Sequence, residues 1–515
     1  MIDTIKTLPK QGFDAQTILN TMQELRGGDA SWSEGKCWSL VYSAGEEVTD
    51  VLRQAFTMFL TENALNPTAF PSLKQMEAEV VAMTGHLLGG DAQTTGSMTT
   101  GGTESILMAM KTAKMWAKKN KRWVRTPEVV LPATAHPAFE KAAYYFGIKT
   151  VYAPLADDYR VDFKRMKKLV TRNTIMLVGS APAYPQGVVD PIGDIAALAK
   201  KKGILCHVDA CIGGYVLPFA KQLGYDIPSW DFSVPGVTSI SVDLHKYAYA
   251  AKPASVVVYK NAELRKHQFF AYTEWTGGIY ASPTMTGSRS GGAIAAAWAV
   301  LNFIGHEGYM DIVRRVMDIR DELVESLKTI PEIDIHGTPD GSMVGIGSEV
   351  VDIFEVGDHL NEQGWHFDRQ QDPVSIHLTV NLAHEGKVQE FIQDLKAAVA
   401  ASQRISQSDK LKERLMYGAM DAACMVLPTA VVSKATAIAS KAMGIGDGEL
   451  PKKSAAMYGM MAKLPNRGDV RGLVIDALDN LLSYDSAKEI KMIQPNQDED
   501  VESRVIRFPT KKTTP

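Results

Sequence analysis

Between residues 128 and 260, short runs rich in valine and isoleucine alternate with stretches of helical spacing, and this alternation constrains the fold more than any other feature. The runs are Val129–Leu131, Thr150–Tyr152, Thr174–Val178, Ile204–Val208 and Ser239–Val242. Apolar runs of this kind belong to strands covered on both faces, as in a parallel sheet flanked by helices. One connecting unit is explicit in the residues. Pro191 presets the first helical turn, residues 192–202 carry the apolar periodicity, and Gly203 provides the stop. The spacing therefore predicts an α/β fold with a mainly parallel sheet, and such sheets place ligands at the carboxyl ends of their strands.

Beyond Gly305 the texture changes to a long helix, short strands near Ile333–His336, Met343–Ile346, Val351–Phe354 and Ile376–Val380, and a further helix from Lys387. A smaller α+β domain is expected there. At 515 residues the chain exceeds one ordinary core. The expected division is an N-terminal segment (1–60), a large domain (61–304), the small domain (305–405), a helical extension (406–485) and a disordered tail (486–515). The net charge of −4, from 55 basic and 59 acidic residues, gives no electrostatic reason for a nucleic-acid partner. The start of the chain, MIDTIKTLPKQGFDAQ, has no basic leader followed by an apolar core, so a cytoplasmic address is expected. The most apolar stretch, Gly418 to Gly444, is broken by Asp421, Pro428, Lys434 and Lys441, which argues against a transmembrane span and leaves room for peripheral membrane contact. The four cysteines Cys37, Cys206, Cys211 and Cys424 lack paired zinc spacing and read as reduced thiols.

Several positions carry chemistry. Gly101-Gly102-Thr103 leads directly into a helix, a combination that suits an anion such as a phosphate but also occurs as a plain turn. His207, Asp209 and Cys211 end a buried strand on one face. They could ligate a metal, although three mixed ligands followed by Gly213-Gly214 make a poor set. Asp209 is better used as a carboxylate facing a protonated pyridine nitrogen. Lys246, preceded by His245, follows the strand ending at Val242, where its amine suits an imine with an aldehyde cofactor. His136 follows another strand, where an imidazole could stack on a flat ring or act only as a local hydrogen bonder.

Together TTGGTESILMA (99–109), ATAHPAFEKAAYYFGIK (133–149), HVDACIGGYVLPF (207–219), GVTSISVDLHKYAYAAKPASVVVYK (236–260), GGIYASPTMTGSRSGG (277–292) and AMYGMMAKLPNRGDV (456–470) resemble the group II, fold-type-I pyridoxal-phosphate-dependent decarboxylases, and within them the carbon–carbon lyases of phosphorylated sphingoid bases. The resemblance implies a fold-type-I large domain and pyridoxal 5′-phosphate held as an imine on Lys246, with Asp209 on the ring nitrogen and His136 on the ring face. It implies that Gly102, Thr103 and His245 hold the phosphate, with Gly287 and Ser288 supplied by the second subunit of a homodimer. Tyr184 and Lys252 match positions near an amine-bearing substrate. Either Lys246 or Tyr184 would be the base that takes the C3 hydroxyl proton. The implied reaction is retro-aldol cleavage to a fatty aldehyde and phosphoethanolamine. The alternative is decarboxylation of glutamate, aspartate or an aromatic amino acid on the same cofactor. One departure touches the substrate phosphate: where these lyases carry a histidine, the segment reads Asn66-Pro67-Thr68-Ala69-Phe70-Pro71.

Overall fold

The computed structural model describes residues 8–403 and 471–482. These fall into two units: residues 31–403 belong to one, and residues 8–30 and 471–482 to the other. The second unit contributes the helices Ala15–Leu25 and Arg471–Leu482. The expected extension outside 471–482 and the tail from residue 486 lie outside the described residues.

The larger unit is built on a seven-stranded sheet. In chain order its strands are β1 (Thr95–Thr99), β2 (Glu128–Pro132), β3 (Lys149–Ala153), β4 (Thr174–Ser180), β5 (Leu205–Asp209), β6 (Ser239–Asp243) and β7 (Ser255–Tyr259). They lie in the order β1-β7-β6-β5-β4-β2-β3, and only β7 runs antiparallel to its neighbours. Successive side chains divide between two cores, as the two-residue period of a strand requires. Val129, Leu131, Val178 and Val257 pack on one side beneath the helices Gly102–Asn120 and Ala138–Phe146. Val130, Leu177, Val256 and Val258 join the other core. The helix Ile192–Lys202 forms as the sequence predicts, and Gly203 closes it in the left-handed region at φ 58°.

The helix Gly291–Leu327 is interrupted at Gly305 (φ 63°), then leads to a four-stranded sheet. After the hairpin β8 (Phe270–Trp275) and β9 (Gly278–Ser282), that sheet comprises β10 (Asp334–Ile335), β11 (Met343–Gly347), β12 (Asp368–Gln371) and β13 (Val374–Thr379), in the order β10-β11-β13-β12. One expected strand is corrected: Val351–Phe354 enters the helix Ile353–Glu362. Asp352 wins the segment for helix by accepting from the backbone N–H groups of Phe354 (2.8 Å) and Glu355 (3.4 Å). The N-terminal segment is tied to this sheet, with Trp38 N–H donating to His366 and Thr379 N–H donating to Trp38. Among the described residues Cys37, Cys206 and Cys211 are unpaired and buried, and no helix is long and apolar enough to cross a membrane.

His207 lies inside the sheet, with its ring nitrogens 2.9 Å from Ser239 Oγ and 3.3 Å from Ser241 Oγ. Burial pushes its pKa down to about 4, and His384 likewise. In the unfolded chain these rings protonate near pH 6.5. Their stabilising contribution is therefore complete above pH 6.5 and is lost as the pH falls towards 4. Buried Asp190 opposes this: its pKa is raised to about 6, so the folded state gains a proton first on acidification. Urea unfolding between pH 6.5 and 4 is expected to show His207→Gln with a slope against pH reduced by about 1.4 kcal/mol per unit. An unchanged slope would show that the ring is not held neutral.

Candidate active site

The carboxyl ends of β1, β2, β4, β5 and β6 open on one edge of the sheet. A cavity of about 480 Å³ lies there, lined by Gly102, Thr103, His136, Asp209, His245 and Lys246 among others. A second cavity of about 500 Å³ shares His136, Asp209, Cys211 and Lys246 with the first and adds Tyr184, Ile212 and Gln370. The two are lobes around one set of reactive groups.

Lys246 sits in a turn after β6 that is closed by Tyr249 N–H donating to the Lys246 carbonyl at 2.9 Å. Tyr249 holds the left-handed region there at φ 57°, an expensive conformation for a side chain of this size. The Lys246 Nζ lies 2.9 Å from Asp243 Oδ2. Burial alone would drive the amine towards neutrality, but the Asp243 carboxylate overrides it and holds the ammonium above its usual range. Burial likewise raises Asp243, and the lysine with His245 outweighs it, leaving the carboxyl below its usual value. The second oxygen of Asp243 is buried with no hydrogen-bond partner. His245 is pushed down by burial, with Asp243 3.9 Å away opposing. Its Nδ1 accepts from Ala254 N–H at 3.2 Å.

Asp209 ends β5 and is positioned by Cys211 N–H (3.1 Å) and Ser241 Oγ (3.3 Å), both on Oδ1. His136 Nδ1 accepts from Ala138 N–H at 3.1 Å, so the proton of the neutral ring belongs on Nε2. Gly102 is required by space: a Cβ there would lie 2.8 Å from both Asp243 carboxylate oxygens and from Cys211 Sγ. The backbone of the helix N-terminus thus forms a cradle that any side chain would fill. An amine, a carboxylate and an anion cradle within one cavity match the donor set that a phosphorylated pyridine aldehyde requires.

Not every expected residue joins them. Lys252 is exposed and donates to the Leu40 carbonyl at 2.6 Å. Gly287 and Ser288 do not line the cavity of their own chain, although Met285 and Thr286 just before them do. Ser288 accepts instead from Asn63 Nδ2 at 3.2 Å. In the departing segment Asn66 Oδ1 caps the backbone of Thr68 and Ala69 before the helix Pro71–Leu87.

Three carboxylates went unassigned in the sequence. Asp243 had a signal, standing three residues before Lys246. Glu104, in the first turn of the cradle helix, accepts from Thr100 N–H (2.6 Å) and Met285 N–H (2.8 Å) and ties two loops to the cavity. Asp368 accepts the Tyr184 hydroxyl at 2.5 Å across 184 positions and had none.

The profile described as the pyridoxal-dependent decarboxylase conserved domain matches residues 6–344. The sphingosine-1-phosphate lyase of Oryza sativa is 41% identical over 485 residues, 92% of this chain and 82% of that protein. The sphingosine-1-phosphate lyase of Arabidopsis thaliana is 45% identical over 402 residues, 76% of this chain and 73% of that protein. Among solved structures, the Burkholderia pseudomallei sphingosine-1-phosphate lyase superposes with a TM-score of 0.75 at 37% identity, covering 80% of this chain and 96% of that one. A Lactobacillus brevis glutamate decarboxylase (TM-score 0.68, 19% identity, 78% of this chain and 95% of that one) shares the fold.

The cradle makes a direct prediction. Gly102→Ala is expected to stay folded and to lose at least about tenfold in affinity for pyridoxal phosphate, since the methyl group must displace Asp243 or Cys211. Absorbance titration of the apoprotein measures this, and wild-type affinity in the variant would remove Gly102 from the phosphate site.

Proposed function

Because the chain belongs to the pyridoxal-dependent decarboxylase family, we propose that it is a pyridoxal-phosphate-dependent carbon–carbon lyase that cleaves a phosphorylated long-chain base to a fatty aldehyde and phosphoethanolamine. The observation that carries the reading is the convergence of Lys246, Asp209 and the Gly102–Thr103 cradle on one cavity, in a chain 41% identical to a sphingosine-1-phosphate lyase over 92% of its length. Among the described residues that line the two lobes, no feature favours amino-acid decarboxylation.

When bound, pyridoxal phosphate supplies an aldehyde for amines and a ring that accepts an electron pair. Lys246 would hold it, and Asp243 keeps a proton on that amine whenever it is released. Asp209 would pair with the ring nitrogen, His136 would cover the ring, and Gly102, Thr103 and His245 would hold the phosphate against the helix N-terminus. In the second lobe Tyr184 faces the substrate. Its phenol is pushed far above the ordinary range by burial and by Asp368, so it acts as a hydrogen-bonding group. Lys252, which lines neither lobe, would have to leave the Leu40 carbonyl to supply a cation for the substrate phosphate, compensating in part for the histidine missing from Asn66–Pro71.

The reading includes a cytoplasmic homodimer in which Gly287 and Ser288 complete the partner's cavity. An exposed apolar hairpin supports it: Trp275 is 55% and Ile279 78% exposed, with Phe270 and Tyr272 beside them. Trp275→Glu is expected to shift the protein to monomer in sedimentation velocity and to lower cofactor retention. A dimer that survives this substitution and Ile279→Glu would place the interface elsewhere.

Purified protein is expected to be yellow, and Lys246→Ala to lose that absorbance and at least about 10³-fold in turnover. Incubation with phosphorylated sphingoid bases should release aldehyde and phosphoethanolamine, whereas glutamate, aspartate and aromatic amino acids should release no carbon dioxide. Carbon dioxide without aldehyde would overturn the lyase reading.

A further inference from the structure

Tyr184 cannot be a base by itself. Its hydroxyl is committed as donor to Asp368 Oδ2 at 2.5 Å, and burial and that carboxylate both oppose phenolate formation. Yet the ring lines the lobe that Lys246 and Asp209 also border. The surroundings of the pair are built for one orientation. Asp368 and His377 are register partners on β12 and β13, and the His377 ring stacks on Tyr184 at a centroid distance of 3.9 Å. His377 is fully buried and, with its pKa pushed down to about 4, is neutral; its Nε2 lies 2.7 Å from Thr379 Oγ1. Gln370, on the same strand as Asp368, donates to the Pro185 carbonyl at 3.0 Å and holds the β4 loop that carries Tyr184 against the small sheet. Arg369 between them is paired with Asp358 at 2.7 Å, on the opposite side of the strand's alternation.

We infer that Asp368 is the terminal proton acceptor of a two-residue relay, through Tyr184, for the substrate C3 hydroxyl. This inference rests on the lyase reading. The C3 O–H bond breaks as a new Oη–H bond forms on Tyr184, while the original Tyr184 proton passes to Asp368 Oδ2. The electron pair left on the C3 oxygen becomes the second bond of the aldehyde carbonyl as the C2–C3 bond breaks, and the C2–C3 pair departs to C2. Tyr184 remains neutral throughout, and the negative charge leaves Asp368 as the proton arrives. Tyr184 is then the catalytic residue, and Asp368 a positioning residue that acts through it.

The test uses holoenzyme and apoprotein. Single-turnover cleavage by wild type in mixtures of light and heavy water should give a curved proton inventory, with two protons in flight, and Tyr184→Phe should make it linear. Asp368→Asn should lower kcat about 100-fold with KM within about twofold, leave the cofactor absorbance unchanged, and add nothing further in a Tyr184→Phe background; Asp368→Glu should recover part of the loss. In apoprotein labelled with tyrosine ¹³Cζ, the Tyr184 resonance, assigned by its loss in Tyr184→Phe, should move upfield in Asp368→Asn. A linear inventory in wild type, wild-type kcat in Asp368→Asn, or a change confined to KM would overturn the relay. If wild type does not cleave phosphorylated sphingoid bases at all, the lyase reading fails and the relay with it, and the tyrosine resonance still reports whether the two side chains are coupled.

Discussion

The pair between buried Asp243 and partly buried Lys246 is the constraint around which the site is arranged. A carboxylate removed from water loses hydration that attraction to a partly exposed ammonium seldom returns in full, so such a pair is a poor device for stability. Here it is retained with one carboxylate oxygen unpartnered and with Gly102 kept free of a side chain above it. Each feature is costly to folding, and each is consistent with the proposed role of Lys246 at the edge of the sheet. The left-handed Tyr249 in the turn that follows belongs to the same account.

Polar side chains connect the cradle to that lysine. Thr99 Oγ1 lies 2.6 Å from Ser105 Oγ, which lies 2.8 Å from Ser255 Oγ, and Ser255 donates to the Val242 carbonyl at 2.9 Å. This chain of hydroxyls crosses from β1 through the cradle helix and β7 to β6, so the cradle and the strand before Lys246 are held in one frame. Glu104 extends the frame to the loop carrying Met285.

The parallel core was legible because β2 to β6 carry their own apolar runs; Lys246, Asp209 and His136 stand out as candidates because each sits just past such a run, and Gly101-Gly102-Thr103 because it opens a helix. Thr95–Thr99 carries no strand signature because TGSMT is small and polar; its place comes from pairing with β7, which no local pattern shows. The Val351–Phe354 run has the apolar content of a strand, but the capping carboxylate of Asp352 turns it into a helix start. Asp368 was invisible for a different reason. It stands in a short, wholly polar strand, DRQQ, and acquires meaning only from a tyrosine far away in the chain. Local chemistry announces itself in sequence, whereas contacts between the two sheets do not.

The two lobes share their reactive floor but not their walls. The first lobe is lined by residues between 100 and 246 together with Met285 and Thr286, while the outer lobe gains Gln370, and through Tyr184 also Asp368, from the small sheet. Such a division makes the molecule separable in descent. Substitutions in the small sheet that spare Asp368 can redraw the shape and polarity met by an incoming chain without disturbing the cradle, so a lineage can change what it accepts while inheriting the cradle intact.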